Sequence, residues 1–127
     1  MPKPSRERRR AAERRGRRSE TLAALLLLFK GYRILGRRVR THAGEIDLIA
    51  RAPSGVICFI EVKARGAQEL AAEALGPRQQ ARIARAAALY LARMPGLDAN
   101  GMRFDTVMLA PRSWPKHIRD AWRPEAG

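Results

Sequence analysis

Cysteine is nearly absent: Cys58 is the only one in 127 residues. An internal disulfide framework and a cysteine-based zinc site are both excluded. Set in an apolar stretch, Cys58 reads as a small buried thiol, which suits a reducing compartment. Acidic residues are also few, 12 against 26 basic ones, for a formal charge of +14. A field of that sign attracts DNA, RNA or an anionic membrane surface without choosing among them. Lysine is scarce and arginine abundant. Guanidinium forks match phosphate oxygens, but a GC-rich genome inflates arginine and alanine as well.

Long apolar runs are missing too. The longest, Leu22 to Phe29, has eight residues, far below the ~18 needed to span a bilayer. The arginines ahead of it imitate a signal peptide, but Lys30 to Arg33 follow with no small-residue cleavage site. Arg17-Arg18 resembles a twin-arginine signal only superficially. The expectation is a cytoplasmic protein with no membrane partner. An apolar content of 46% argues against wholesale disorder, and the length suits one domain with a real core.

Residues 1–18 carry nine basic residues against Glu7 and Glu13. Such a block repels itself and reads as a disordered basic arm, either a nonspecific phosphate anchor or a solubilising extension. The domain proper is expected over 19–122, with 123–127 a tail. Ser19 or Thr21 can cap a helix running to about Lys30, with Glu20 in its first turn and Gly31 ending it. Leucines surround most of this helix, which predicts deep burial and leaves no apolar surface stripe evident.

Residues 32–40 read as an edge strand, 44–51 and 56–65 as a hairpin around Pro53-Ser54-Gly55, and 66–76 as a mobile loop. Pro77 opens a second helix to about Met94, and 102–110 is a last clear strand. Trp114, Ile118 and Trp122 are expected to cover the core from a short helix or strand. The order α-β-β-β-α-β predicts an α/β fold, a mixed sheet flanked by helices.

The hairpin concentrates the chemistry. GEIDLIAR at 44–51 and VICFIEVK at 56–63 set charges among Ile, Val and Phe, which is costly unless they are paired or hold a metal. Centring the turn on Ser54 opposes Asp47 to Glu61, Glu45 to Lys63 and Ile49 to Phe59, all on one face, and a one-residue slip would undo it. Opposed carboxylates repel unless a cation sits between them. Mg²⁺, with Mn²⁺ as a substitute, suits such oxygens and can polarise a phosphoryl group. Asp47 and Glu61 are then candidate metal ligands and Lys63 a catalytic cation, with the Val62 carbonyl a further ligand. The bland alternative is a Glu45–Lys63 ion pair with Asp47 and Glu61 at a wet sheet end. Arg40, Arg65, Arg78 and Arg82 are candidates for a phosphate track. His42 and His117 read as loop residues, and Asp105 as the partner of a neighbouring arginine.

GEIDLI at 44–49 with FIEVKAR at 59–65 resembles the YraN-like family of uncharacterised proteins, a branch of the PD-(D/E)XK, or restriction-endonuclease-like, superfamily. The resemblance extends over about 16–122, through Gly16 with Glu20, GYRIL at 31–35, PRQQ at 77–80, RFD at 103–105 and residues 118–122. It implies a restriction-endonuclease-like fold, a catalytic set of Asp47, Glu61 and Lys63, and accessory roles for Glu20 and Gln80, beside which Glu45 stands in the motif itself. Gln79 departs from the family's usual lysine, which removes one phosphate contact. The expected function is Mg²⁺-dependent hydrolysis of DNA phosphodiesters, with branched or damaged DNA as candidate substrates and DNA favoured over RNA. A homodimer is compatible with related nucleases. The rival is a non-catalytic nucleic-acid-binding module that keeps the fold.

Overall fold

Continuous apolar runs in the central strands, 48–50 and 57–60, demand cover on both faces of a sheet, and among the described residues one helix supplies each cover. The computed structural model describes residues 6–64 and 76–124, with 6–16 described as backbone only. Its elements are α1 (Arg6–Phe29), β1 (Arg33–Thr41), β2 (Gly44–Arg51), β3 (Ile57–Ala64), α2 (Pro77–Ala92), β4 (Met102–Leu109) and β5 (Lys116–Trp122). The sheet order is β1-β2-β3-β4-β5. Among the described residues only β3 and β4 run parallel, the crossover between them containing α2. This mixed α/β arrangement agrees with the restriction-endonuclease-like expectation, and the C-terminal cover is a fifth strand.

The two faces are distinct cores. Ala23, Ala24 and Leu27 of α1 pack with Leu48, Ala50, Cys58, Ile60 and Val107. Ile83, Ala86 and Ala87 of α2 pack with Ile46, Ile49, Ile57, Phe59 and Phe104. Cys58 is fully buried and free, and burial pushes its thiol up to about 12.

Helix α1 departs from expectation at both its start and its burial. It begins at Arg6 rather than at a Ser19 or Thr21 cap, because Arg, Glu and Ala are good helix formers. It is not buried all round: Leu22, Leu25, Leu28 and Phe29 are exposed, so an apolar surface stripe does exist. One sheet face accepts only one side of a helix. Its end is as expected. Gly31 has φ +88°, and the N–H groups of Tyr32 and Gly31 donate to the carbonyls of Leu27 and Leu28, a Schellman closure.

Trp122 does cover the core, stacked on Phe104 with ring centroids 4.2 Å apart. Trp114 does not; it is 93% exposed in the β4–β5 connection. The expected loop at 66–76 and the candidate Arg65 lie outside the described residues, apart from Gly76, which precedes α2.

Candidate active site

The hairpin register is the expected one where the strands pair, with Ile49 opposite Phe59 and Leu48 opposite Ile60. Beyond Leu48 the backbone ladder stops. In its place the Val62 main-chain N–H donates to Asp47 Oδ2 at 2.8 Å. The Asp47 carboxylate therefore sits between the two strands as they splay. The N–H and C=O of one strand residue point to the same side, so the Val62 carbonyl also faces this gap.

The expectation that Asp47 and Glu61, Glu45 and Lys63, and Ile49 and Phe59 are opposed pairs on one face needs correction: the ladder ends at Leu48 and Ile60, so of the three only Ile49 and Phe59 are strand partners. Ile46 and Ile49 pack toward α2, whereas Leu48 and Ala50 pack toward α1. Alternation breaks between 47 and 48, and Asp47 joins the α1 side beside Glu20. The opposing strand breaks with it. Arg38 has φ +49°, and Arg37 and Arg38 both reach α1, bonding to Thr21 Oγ1 at 2.8 Å and Glu20 Oε2 at 2.7 Å. Left-handed backbone in a non-glycine residue is strained and persists where its surroundings hold it. Here the buried Glu20 carboxylate does so.

The acids Glu20, Glu45 and Asp47 thus converge, each offering a carboxylate oxygen within 4.8 Å of the others. Two residues expected as accessory, Glu20 and Glu45, thus stand beside Asp47. Glu61 is not one of the three but repels Asp47 across the gap. Burial pushes Asp47 up to about 6, with Glu20 and Glu45 adding to the rise and the Val62 N–H and Lys63 opposing it. Burial first, then repulsion from Asp47, pushes Glu61 up to about 7 against the pull of Lys63. Lys63 therefore acts on both acids. Among the described residues Glu45 pairs with Arg40 at 3.5 Å and not with Lys63, the alternative expected from the sequence.

Of the arginine candidates, Arg40 is largely exposed and Arg78 and Arg82 lie exposed on α2. The Arg82 stem lies beside Gly44, where an added Cβ would sit 3.4 Å from it. Gln80 lines a small cleft with Ala81, Ala84 and Pro124.

A second polar cluster lies under the sheet. Asp105 is fully buried and accepts from Arg103 Nε at 2.9 Å and from the Asp120 main-chain N–H at 3.0 Å, with His117 Nε2 at 2.8 Å. Burial works to raise its carboxyl, but these hydrogen bonds outweigh it and hold it below the usual range. Lys30 Nζ stands 2.5 Å from His117 Nδ1. An ammonium only donates, so the ring proton is on Nε2 and is given to Asp105. Arg103 also donates to the Tyr32 hydroxyl at 2.6 Å. Asp105 pairs with a neighbouring arginine as expected. His117 is no loop residue: its side chain is 2% exposed. The residues missed were Arg38 and this network, and the adjacent Arg37-Arg38, which breaks strand alternation, was the available signal.

The family model of the uncharacterised protein family UPF0102 matches residues 19–109. The chain belongs to that family. A UPF0102 protein of Parvibaculum lavamentivorans is 55% identical over 114 residues, covering 90% of this chain and 85% of that protein. One from Maricaulis maris is 49% identical, covering 91% of each, and one from Agrobacterium fabrum 51%, covering 90% and 93%. The UPF0102 match spans both the acid-bearing hairpin and Glu20 on α1.

Proposed function

We propose that this UPF0102 protein is a Mg²⁺-dependent nuclease of the PD-(D/E)XK type, hydrolysing DNA phosphodiester bonds, with branched or damaged DNA as its substrates. The observation that carries the reading is the convergence of Glu20, Glu45 and Asp47 next to Glu61 and Lys63. Mutually repelling, desolvated carboxylates are unfavourable on their own and favourable around a hard cation.

The donor set fits Mg²⁺, which takes oxygen ligands and keeps several waters. Asp47 and Glu61 would hold it, with Glu45 and Glu20 alongside. When bound, the cation polarises phosphoryl oxygens and lowers the pKa of coordinated water. Val62 orients the Asp47 carboxylate through its N–H, leaving the other oxygen for the cation. Arg38 holds Glu20 and Arg40 engages Glu45, which fixes two acids and moderates their repulsion. Lys63 offsets the negative charge of both ligands and supplies a cation for charge developing on phosphorus. Arg40, Arg78 and Arg82 form the phosphate track, and Arg65 completes the set expected from the sequence.

The rival is a nucleic-acid-binding module without turnover, which the charge of +14 supports equally well. Incubation with linear, flapped and four-way DNA in Mg²⁺ or Mn²⁺ separates them. The nuclease cuts at least one substrate, and cutting disappears in Asp47→Asn and Lys63→Ala. Salt-dependent binding without cleavage, indifferent to Asp47→Asn, would leave only the module.

A further inference from the structure

The end of the sheet opposite the acids carries a second concave surface. A cavity of about 810 Å³ opens between the start of β4 and the end of β5, within the ~300–1,000 Å³ typical of small-ligand sites. Val56, Met102, Phe104 and Trp122 give it apolar walls, and the exposed Arg119 and Arg123 line it as well. Phe104 supports the Trp122 indole from below, stacked at an interplanar angle of 21°. The ring is thereby fixed in orientation while remaining part of the cavity wall.

An irregular strand builds this surface. Phe104 pairs with Trp122 and Thr106 with Ile118, so the single residue Asp105 faces Arg119, Asp120 and Ala121. Asp120 adopts φ +52°, and its N–H is held by the buried Asp105 carboxylate at 3.0 Å. Bulges of this kind re-aim side chains, and strained backbone persists where its surroundings over-determine it. Asp120 in turn bonds Arg123 at 2.8 Å, which places that guanidinium. A wholly buried charge thus fixes the segment that carries both arginines, and the carboxylate site of β2 and β3 makes no use of it.

We propose that this cavity binds an unpaired nucleotide, its base against Trp122 and its phosphate on Arg119 and Arg123. A fixed aromatic wall beside cationic donors matches a planar base carrying a phosphate. An apolar ligand leaves the arginines unused, and inorganic phosphate leaves the aromatic wall unused. A free nucleotide and the unpaired end of a strand present the same chemistry. The site stands independently of the nuclease reading, since it uses none of the acids.

The chain has two tryptophans, so Trp114→Phe leaves Trp122 as the sole indole reporter. In this background, fluorescence is titrated with dAMP, deoxyadenosine, inorganic phosphate and a short oligothymidylate. Saturable quenching by dAMP or by the oligonucleotide is expected, about tenfold weaker in Arg119→Ala or Arg123→Ala and with deoxyadenosine. Arg85→Ala, on the exposed surface of α2, should leave it unchanged. Quenching by the oligonucleotide alone identifies a strand as the source, and quenching by dAMP a free nucleotide. Absence of saturable quenching by either, equal loss in Arg85→Ala, or equally tight competition by inorganic phosphate overturns the proposal.

Discussion

Asp47 reaches across the hairpin to accept the main-chain N–H of Val62 at 2.8 Å, where a backbone carbonyl would otherwise continue the ladder. A charged side chain substitutes for a strand hydrogen bond, and the strands separate around it. That substitution opens the acidic gap.

Metal binding should therefore appear as stabilisation. Without a divalent cation Asp47→Asn retains an oxygen for the Val62 N–H and removes repulsion, so its melting temperature stays equal to or a few degrees above wild type. Mn²⁺ should raise the wild-type melting temperature by several degrees and that of Asp47→Asn by about none. Scanning fluorimetry with and without Mn²⁺ decides this, and equal shifts in both proteins would remove Asp47 from the ligand set.

The pH dependence has a definite sign. Asp47 and Glu61 have folded-state pKa values raised to about 6 and about 7, above ordinary carboxylates. The folded protein thus keeps protons that the unfolded chain has released. Their contribution to stability is present near pH ~4 and is lost as pH rises toward ~8. Asp105, held low, acts oppositely: its stabilisation is present above the ordinary carboxylate range and lost toward stronger acid. Urea midpoints measured in chelator should peak near pH ~5. A flat profile from pH 5 to 8, matching an Asp47→Asn/Glu61→Gln double variant, would contradict the raised pair.

Arg38→Ala leaves the buried Glu20 carboxylate without its partner. Arg38 is about one-third exposed, so solvent moderates the cost, expected at about 1–2 kcal/mol. Adding Glu20→Gln should return part of it, because the orphaned charge is then gone. A double-mutant cycle from denaturation curves measures the coupling, and a purely additive pair would show that Arg38 acts only by packing.

The two sides of α1 should respond differently. Leu27 is fully buried and Leu25 is 56% exposed. Leu27→Ala is expected to cost about 2–4 kcal/mol and Leu25→Ala less than about 1. Similar losses at both positions would mean that the leucine-rich surface is covered in solution.

The pairing of Ile49 with Phe59 was legible because strand pairing is local: a short turn at Pro53 to Gly55 and a period of two fix which residues oppose each other as far as Leu48, where the ladder ends. The Gly31 helix end and the buried Cys58 were readable for the same reason. His117 was not, since its partners Asp105 and Lys30 come from other elements and a lone histidine near the C-terminus carries no pattern. Trp114 and Trp122 look alike in sequence, and only pairing with β4 places one on Phe104 and leaves the other in solvent.

By itself, the order of residues determined the first four strands, the second helix, the hairpin register where the strands pair and the positive charge, all set by local periodicity and composition. The tertiary structure decided which acids meet. Docking of α1 brings Glu20 to Arg38 and Asp47, and the coupled break in alternation on β1 and β2 turns Asp47 away from the row of Ile49. Neither follows from a period of two, because both depend on where a distant helix places a buried carboxylate that must find a partner.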